Sequence, residues 1–154
     1  VDQVFITEPD AGMKRQLDQK FQALDKSNFY TADAKAEDLP FEDESFDTVV
    51  STLVLCTVDN PEKSLEEIFR VLKPGGKLLF LEHVHAHDNP NRAKWQGRIE
   101  PIWKHIAGGC HLTRDTLNTI ERTGLSIESV THASLRKAPA FIRTSIRGCA
   151  LKRP

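Results

Sequence analysis

The chain is 154 residues long and sets 21 basic against 22 acidic side chains, a formal net charge of −1. That leaves no surplus of Lys and Arg to displace counterions from a phosphate backbone, which excludes sequence-independent nucleic-acid binding. Hydrophobic and charged fractions of 39% and 28% exclude disorder, and the longest uncharged apolar stretch, Thr48 to Val58, falls far short of the roughly 20 residues a membrane-spanning helix needs.

Val4 to Ile6 is a short apolar run ended by Thr7-Glu8-Pro9, after which Met13, Leu17, Phe21 and Leu24 recur at helical spacing. This predicts strand, turn and helix. Asn28 to Ala32 reads as a second short strand. Phe46 to Leu55 is nearly continuous in apolar and β-branched residues, the pattern of a strand buried on both faces of a parallel sheet. Asp59-Asn60-Pro61 supplies a cap and a first-turn proline for a helix whose apolar face is Leu65, Ile68, Phe69 and Leu72, and Lys73-Pro74-Gly75-Gly76 stops it. Lys77 to Val84 is another buried strand. Strands alternating with helices at this interval imply βαβ units and a mostly parallel sheet.

Residues 85–111 break the rhythm. Trp95, Ile99, Ile102, Trp103 and Ile106 fall at amphipathic spacing, which predicts a helical cap, and an insertion this long between regular elements is more often functional than idle. Thr113 is the expected N-cap of a helix running to Arg122 and closed by Gly124. Two strands follow, Ser126 to Ala133 and Ala140 to Leu151, joined by a basic loop around Arg136-Lys137. With no room for a crossover helix between them, they pair antiparallel.

Cys56, Cys110 and Cys149 are far apart with no C-x-x-C spacing, so neither a zinc knuckle nor a disulfide framework is indicated, and a reducing cytoplasm is the expected location. His83, His85 and His87 alternate and share a face if extended. That geometry suits a metal, but Asp88-Asn89-Pro90 reads as a loose loop and no fourth ligand is evident, so no metal is expected.

An α/β sheet finished by an antiparallel hairpin resembles the Rossmann-like class of S-adenosylmethionine-dependent methyltransferases, and three motifs agree. Glu8-Pro9-Asp10 resembles the family's acidic residue after its second strand. Ala36-Glu37-Asp38-Leu39-Pro40-Phe41 with Ser45-Phe46-Asp47-Thr48-Val49-Val50 resembles the A-E-x-L-P-F…S-F-D-x-V-V signature of its small-molecule branch. Arg70-Val71-Leu72-Lys73-Pro74-Gly75-Gly76 resembles the turn before its fifth strand. More narrowly, Thr52 to Cys56, Leu81-Glu82-His83-Val84 and Pro101 to Arg114 resemble the alkyl-thiol methyltransferase subgroup and its bacterial relatives.

The resemblance implies S-adenosylmethionine as cofactor and a site along the carboxyl ends of the strands. Glu8, with Pro9 and Met13 beside it, is placed to accept the ribose hydroxyl protons. The loop after the second strand meets the adenine in one of two registers, Asp33-Ala34 or Ala36-Glu37. The second is favoured by the tightly spaced motif that follows, with Lys35 standing where many relatives have Asp. Thr52 and Leu53 face the methyl sulfonium. His83 is the expected base, because an unperturbed imidazole titrates near pH 6.5 and a thiol or amine acceptor must lose a proton. Cys56, Trp103, His105 and His111 are the expected acceptor contacts. The acceptors implied are a small lipophilic thiol first, then a phospholipid amine, then a quinone. Arg92, Lys94, Arg98 and Lys104 suit peripheral contact with anionic lipid. A nicotinamide oxidoreductase shares the acidic residue after the second strand and is the enzymatic alternative, and a degenerate domain without catalysis is the other.

Met13 is the single methionine, and no G-x-G loop occurs in the chain. The resemblance places that loop, with the first, central strand and first helix, before Val1. The expectation is therefore a domain spanning 1–154 that lacks them, with two inner strand edges unpaired and with poor cofactor binding on its own.

Overall fold

The computed structural model describes residues 2–24, 28–135 and 137–154. Strand β1 (Val4–Thr7) leads into helix α1 (Ala11–Ala23), whose first turn is capped by Asp10 accepting the Met13 N–H at 2.7 Å. Strand β2 (Phe29–Ala32) lies parallel to β1 in a two-stranded sheet. Strand β3 (Phe46–Thr52), helix α2 (Pro61–Val71) and strand β4 (Leu72–His83) form the next parallel unit. Asn60 caps α2 by accepting the Lys63 N–H, and Pro61 occupies the first turn, where no N–H is needed.

After β4 come helix α3 (Pro90–Ile106), helix α4 (Thr116–Arg122), strand β5 (Ser126–Ser134), a 3-10 turn at Ala140–Ile142 and strand β6 (Thr144–Leu151). The larger sheet has the order β3-β4-β6-β5, and β6 pairs antiparallel with both neighbours, as the hairpin reading requires. Among the described residues no strand lies between β1 and β3, so each is an edge of its own sheet. What joins the two sheets is aromatic: Phe5, Phe41 and Phe46 meet edge to face with centroids 4.9–5.7 Å apart.

The core lies on one face of the larger sheet, where Leu65 and Ile68 of α2 and Ile120 of α4 pack on Leu78 and Phe80 of β4 and Ile146 and Ala150 of β6. Strand β3 departs from expectation here. Val49 packs against this core, but Val50 is 68% exposed, because the two helices cover one face only and β3 is an edge. The strand therefore alternates instead of being buried twice.

Three boundaries also differ. Leu72 is already extended at the end of α2, so the strand starts before Lys73-Pro74-Gly75-Gly76 rather than after it, with Gly75 at φ +80° giving its N–H to Lys152 O at 2.7 Å. Asp115, not Thr113, caps α4, its side chain accepting the Asn118 N–H. Ala140 to Ile142 forms the 3-10 turn after Pro139, which shortens β6. In the basic loop, Arg136 lies outside the described residues.

Candidate active site

The carboxyl ends of β3 and β4 meet in a tightly held turn. Leu53 leaves β3 in the left-handed region, φ +57°, an unfavourable conformation for a branched side chain, while its N–H still bonds Leu81 O at 2.8 Å. The turn that follows is held from two directions. From β4, the fully buried Glu82 accepts the Ser51 hydroxyl (2.7 Å) and Val54 N–H (3.1 Å) on Oε1, and the Cys56 N–H (3.2 Å) on Oε2. From the other side, Arg114 donates to Leu55 O at 2.7 Å and Val58 O at 2.6 Å, and the His111 N–H reaches Cys56 O at 2.8 Å. Burial pushes the Glu82 carboxyl above the usual range against the pull of these donors, and burial likewise lowers Arg114.

This turn delivers Cys56 to His83, the last residue of β4, and to Cys110, just beyond α3. Cys56 is 1% and His83 2% exposed, and one ligand-capable atom from each of the three lies within 4.8 Å of the others, with Cys110 Sγ 4.0 Å from His83 Nδ1. The two thiols share a hydrogen bond that raises Cys56 and lowers Cys110. Burial and the Glu82 charge raise Cys56 further, whereas His83 helps to lower Cys110. Among the described residues, His83 Nε2, Trp103 Nε1 and Ser145 Oγ are buried without hydrogen-bond partners, and Ser145 faces His83 across the β4–β6 ladder.

Helix α3 is pinned over this end of the sheet by polar contacts. Gln96, fully buried, accepts the Ala86 N–H at 2.8 Å and donates to Val84 O at 3.2 Å, and Arg92 reaches the Thr144 hydroxyl at 3.0 Å. The expected apolar face does not form the contact: Trp95, Ile102 and Ile106 are 57–72% exposed. Trp103 instead stands edge-on to Phe141, centroids 5.2 Å apart, and a groove of about 450 Å³ opens beside them, lined by Asn91, Arg92, Trp95, Ile99, Ala140 and Phe141. Trp103 is thereby tied to the groove through Phe141.

Of the expected acceptor contacts, the structure brings Cys56 and Trp103 to the site. His111 is in the wall of the turn, its ring 3.2 Å from Glu100. Burial raises the Glu100 carboxyl, but the bonds to Thr113 and His111 outweigh it and hold the group below its ordinary value. His105 is exposed on α3 and is not brought to the cluster. The three alternating histidines do not share a ligand face. His85 and His87 pair with each other, Nδ1 to Nδ1 3.4 Å, and His87 turns to Asp115 at 3.6 Å, because β4 ends at His83 and the alternation ends with it.

The expected cofactor residues lie along the same edge. Glu8 directly follows β1, with Oε1 accepting the Asp10 N–H at 2.9 Å, beside the exposed Pro9 and Met13. Glu37 has a bracing role the sequence did not suggest: its Oε1 accepts the N–H groups of Asp59 (2.8 Å) and Asn60 (3.2 Å), and Lys35 pairs with Asp59 at 3.3 Å. The loop after β2, from Asp33-Ala34 through Ala36-Glu37, is thereby fastened to the entry of α2. Thr52 and Leu53 are exposed at the end of β3. Arg70 fixes the Leu39-Pro40-Phe41 segment, donating to Leu39 O (3.0 Å), Phe41 O (2.7 Å), Glu67 and Asp43. Glu82, Arg114 and Arg70 were missed as organising residues. For Glu82 the signal was a lone acid inside an apolar strand run, a residue type almost never buried unless it is hydrogen-bonded.

An open α/β sheet with polar groups gathered outside the carboxyl ends of its strands is the arrangement in which Rossmann-like folds bind their ligands. The methyltransferase domain family matches residues 1–80, just over half of the chain, and the chain belongs to that family. It is 54% identical over 84 residues to thiol S-methyltransferase TMT1B of Rattus norvegicus, covering 54% of this chain and 34% of that protein. It is 40% identical over 110 residues to thiol S-methyltransferase TMT1A of Homo sapiens, covering 71% and 45%. The chain thus spans less than half the length of these curated relatives. A SAM-dependent methyltransferase from Methanosarcina mazei shares the fold, with a TM-score of 0.75 at 21% identity over 98% of this chain and 82% of that one.

Proposed function

We propose that the complete protein transfers the methyl group of S-adenosylmethionine to a small lipophilic thiol, held between the Cys56–His83–Cys110 cluster and the groove beneath α3. The observation that carries this reading is the meeting of that buried cluster with the carboxyl-end crevice of a methyltransferase fold. The relatives named as thiol S-methyltransferases support it.

S-adenosylmethionine fits the crevice. Glu8 follows β1 where a ribose would need a carboxylate, with Pro9 and Met13 beside it, and the half-exposed Leu53 and Val54 offer apolar contact beyond β3. The loop at Ala36-Glu37 meets the adenine, and Thr52 and Leu53 face the sulfonium. The cofactor supplies an activated methyl carbon and a leaving group that departs neutral, so little acid catalysis is needed. The chain's residues orient the acceptor and exclude water. Glu82 and Arg114 fix the turn that carries Cys56. His83, placed between two thiols, serves acceptor activation together with them, and Trp103 and Phe141 present an apolar wall.

The test is an acceptor panel of alkyl thiols, phospholipid amines and quinols given to the full-length protein with S-adenosylmethionine, read as S-adenosylhomocysteine release. Lipophilic thiols are expected to give the highest kcat/KM. Preference for an amine or quinol refutes the thiol assignment. Calorimetric binding of NAD without S-adenosylhomocysteine refutes methyl transfer itself.

A further inference from the structure

Two thiols and one imidazole gathered at the end of β4 are more than an apolar wall requires. Cys56 and His83 are buried almost completely, and Cys110 closes the triangle at 4.0 Å from His83 Nδ1. The ring nitrogen turned to the sulfurs is Nδ1, and Nε2, buried without a partner among the described residues, is left for an outer-shell hydrogen bond. The donor set is soft, two sulfurs and a nitrogen, which selects Zn²⁺ over hard cations. A tetrahedral zinc with Zn–S about 2.3 Å and Zn–N about 2.0 Å sets its donors about 3.6–3.8 Å apart. The three atoms, all within 4.8 Å, therefore need to close by up to about 1.2 Å.

Among the described residues no fourth side chain joins the group. The nearby Glu82 is committed with both oxygens to Ser51, Val54 and Cys56, so it braces the cluster rather than ligating. Three protein ligands with one position left open is the arrangement of catalytic rather than structural zinc. Trp103, seven residues before Cys110, stands edge-on to Phe141, which lines the apolar groove.

We propose that Cys56, His83 and Cys110 bind one Zn²⁺, and that the acceptor's sulfur takes the fourth position with its chain in the groove of Trp95, Ile99 and Phe141. The proposal rests on the thiol-methylation reading and replaces a base at His83 with a ligand there. On binding, the acceptor R–SH loses its proton to solvent and coordinates as thiolate. A lone pair of that sulfur forms the new S–CH3 bond while the methyl-to-sulfonium bond of S-adenosylmethionine breaks, its electron pair remaining on S-adenosylhomocysteine. The neutral thioether product is a poor zinc ligand and leaves. Ser145, opposite His83 with an unpartnered hydroxyl, is positioned to support the ring from across the ladder.

The experiment uses the full-length protein. Elemental analysis after desalting is expected to give about one zinc per chain, and Co²⁺ exchanged into the site to show thiolate-to-metal charge-transfer absorption that shifts on adding hexanethiol. Cys56→Ser and Cys110→Ser are expected to weaken metal binding at least about 100-fold, and Cys149→Ser to leave it unchanged. Stripping and restoring zinc in the wild type tests the same point without relying on variants that fold.

Failure to take up zinc overturns the proposal. So do equal metal retention by the Cys56 and Cys110 variants and a Co²⁺ spectrum indifferent to the thiol. Undiminished thiol methylation by stripped enzyme overturns the zinc site and leaves the thiol-methylation reading intact. A protein that holds zinc and binds the thiol on it, yet releases no S-adenosylhomocysteine, keeps the site and refutes that reading.

Discussion

Glu82 is the residue on which the candidate site turns, because one buried carboxylate satisfies a hydroxyl and two backbone N–H groups of the turn that carries Cys56. Glu82→Gln replaces an acceptor oxygen with an NH2 and sets donor against donor at Val54 or Cys56. The expected loss is about 2–3 kcal/mol of stability, measured by urea denaturation, with a more than tenfold fall in kcat/KM at unchanged S-adenosylhomocysteine affinity. At the Arg70 node the prediction concerns pH. The hydrogen bond from Arg70 holds Glu67 below the ordinary carboxylate value, so its contribution is fully present above the unfolded pKa and is lost as pH falls through the lowered folded one. The stability gap between wild type and Glu67→Gln, followed by denaturant titration across pH, should therefore shrink in acid and stay constant at neutral pH. Neither residue was assigned a role from the sequence. Glu82 lies inside a quoted motif and Glu67 three residues before one, but what a carboxylate accepts from a loop 28 residues away is not written in its neighbours.

The elements themselves follow local rules closely. Asp10, Asn60 and Asn89 each accept an N–H three residues on and start their helices, and Gly124 at φ +87° follows the end of α4. The hairpin of β5 and β6 depends on Gly148, where any Cβ would collide with Ser129 O and the Phe80 ring. Gly148→Ala is expected to cost about 2–3 kcal/mol and to show as a lowered midpoint in thermal melts. Helix α3 is held differently from what its pattern suggests. Its apolar positions satisfy helical periodicity, but its anchoring side chain is an amide, and periodicity does not say which face docks. Gln96→Leu should leave the Ala86 N–H and Val84 carbonyl without partners, costing about 1–3 kcal/mol. It should also raise the KM for the acceptor more than that for S-adenosylmethionine, since α3 roofs the groove rather than the cofactor crevice.

At the scale of the molecule, stability is unevenly shared. The β1–α1–β2 unit contains no fully buried side chain among its described residues and meets the larger sheet through the Phe5–Phe41–Phe46 contact, whereas α2, α4, β4 and β6 enclose the core. Hydrogen exchange on the 154-residue chain should therefore reach the amides of β1 and β2 well before those of β4 and β6. Phe41→Ala should widen that interval without altering exchange in β6. The sequence by itself determined the order of the elements, most of their ends, the antiparallel hairpin and the line of carboxyl-end residues from Glu8 to Leu53, because caps, glycines, prolines and hydrophobic periods act over a few residues. Only the tertiary structure decided that β3 is an edge, that α3 docks through Gln96, and that His83 parts from His85 and His87 to join Cys56 and Cys110. Each of those outcomes depends on groups 10 or more residues apart competing for one buried space, and such competition leaves no periodic trace in the chain.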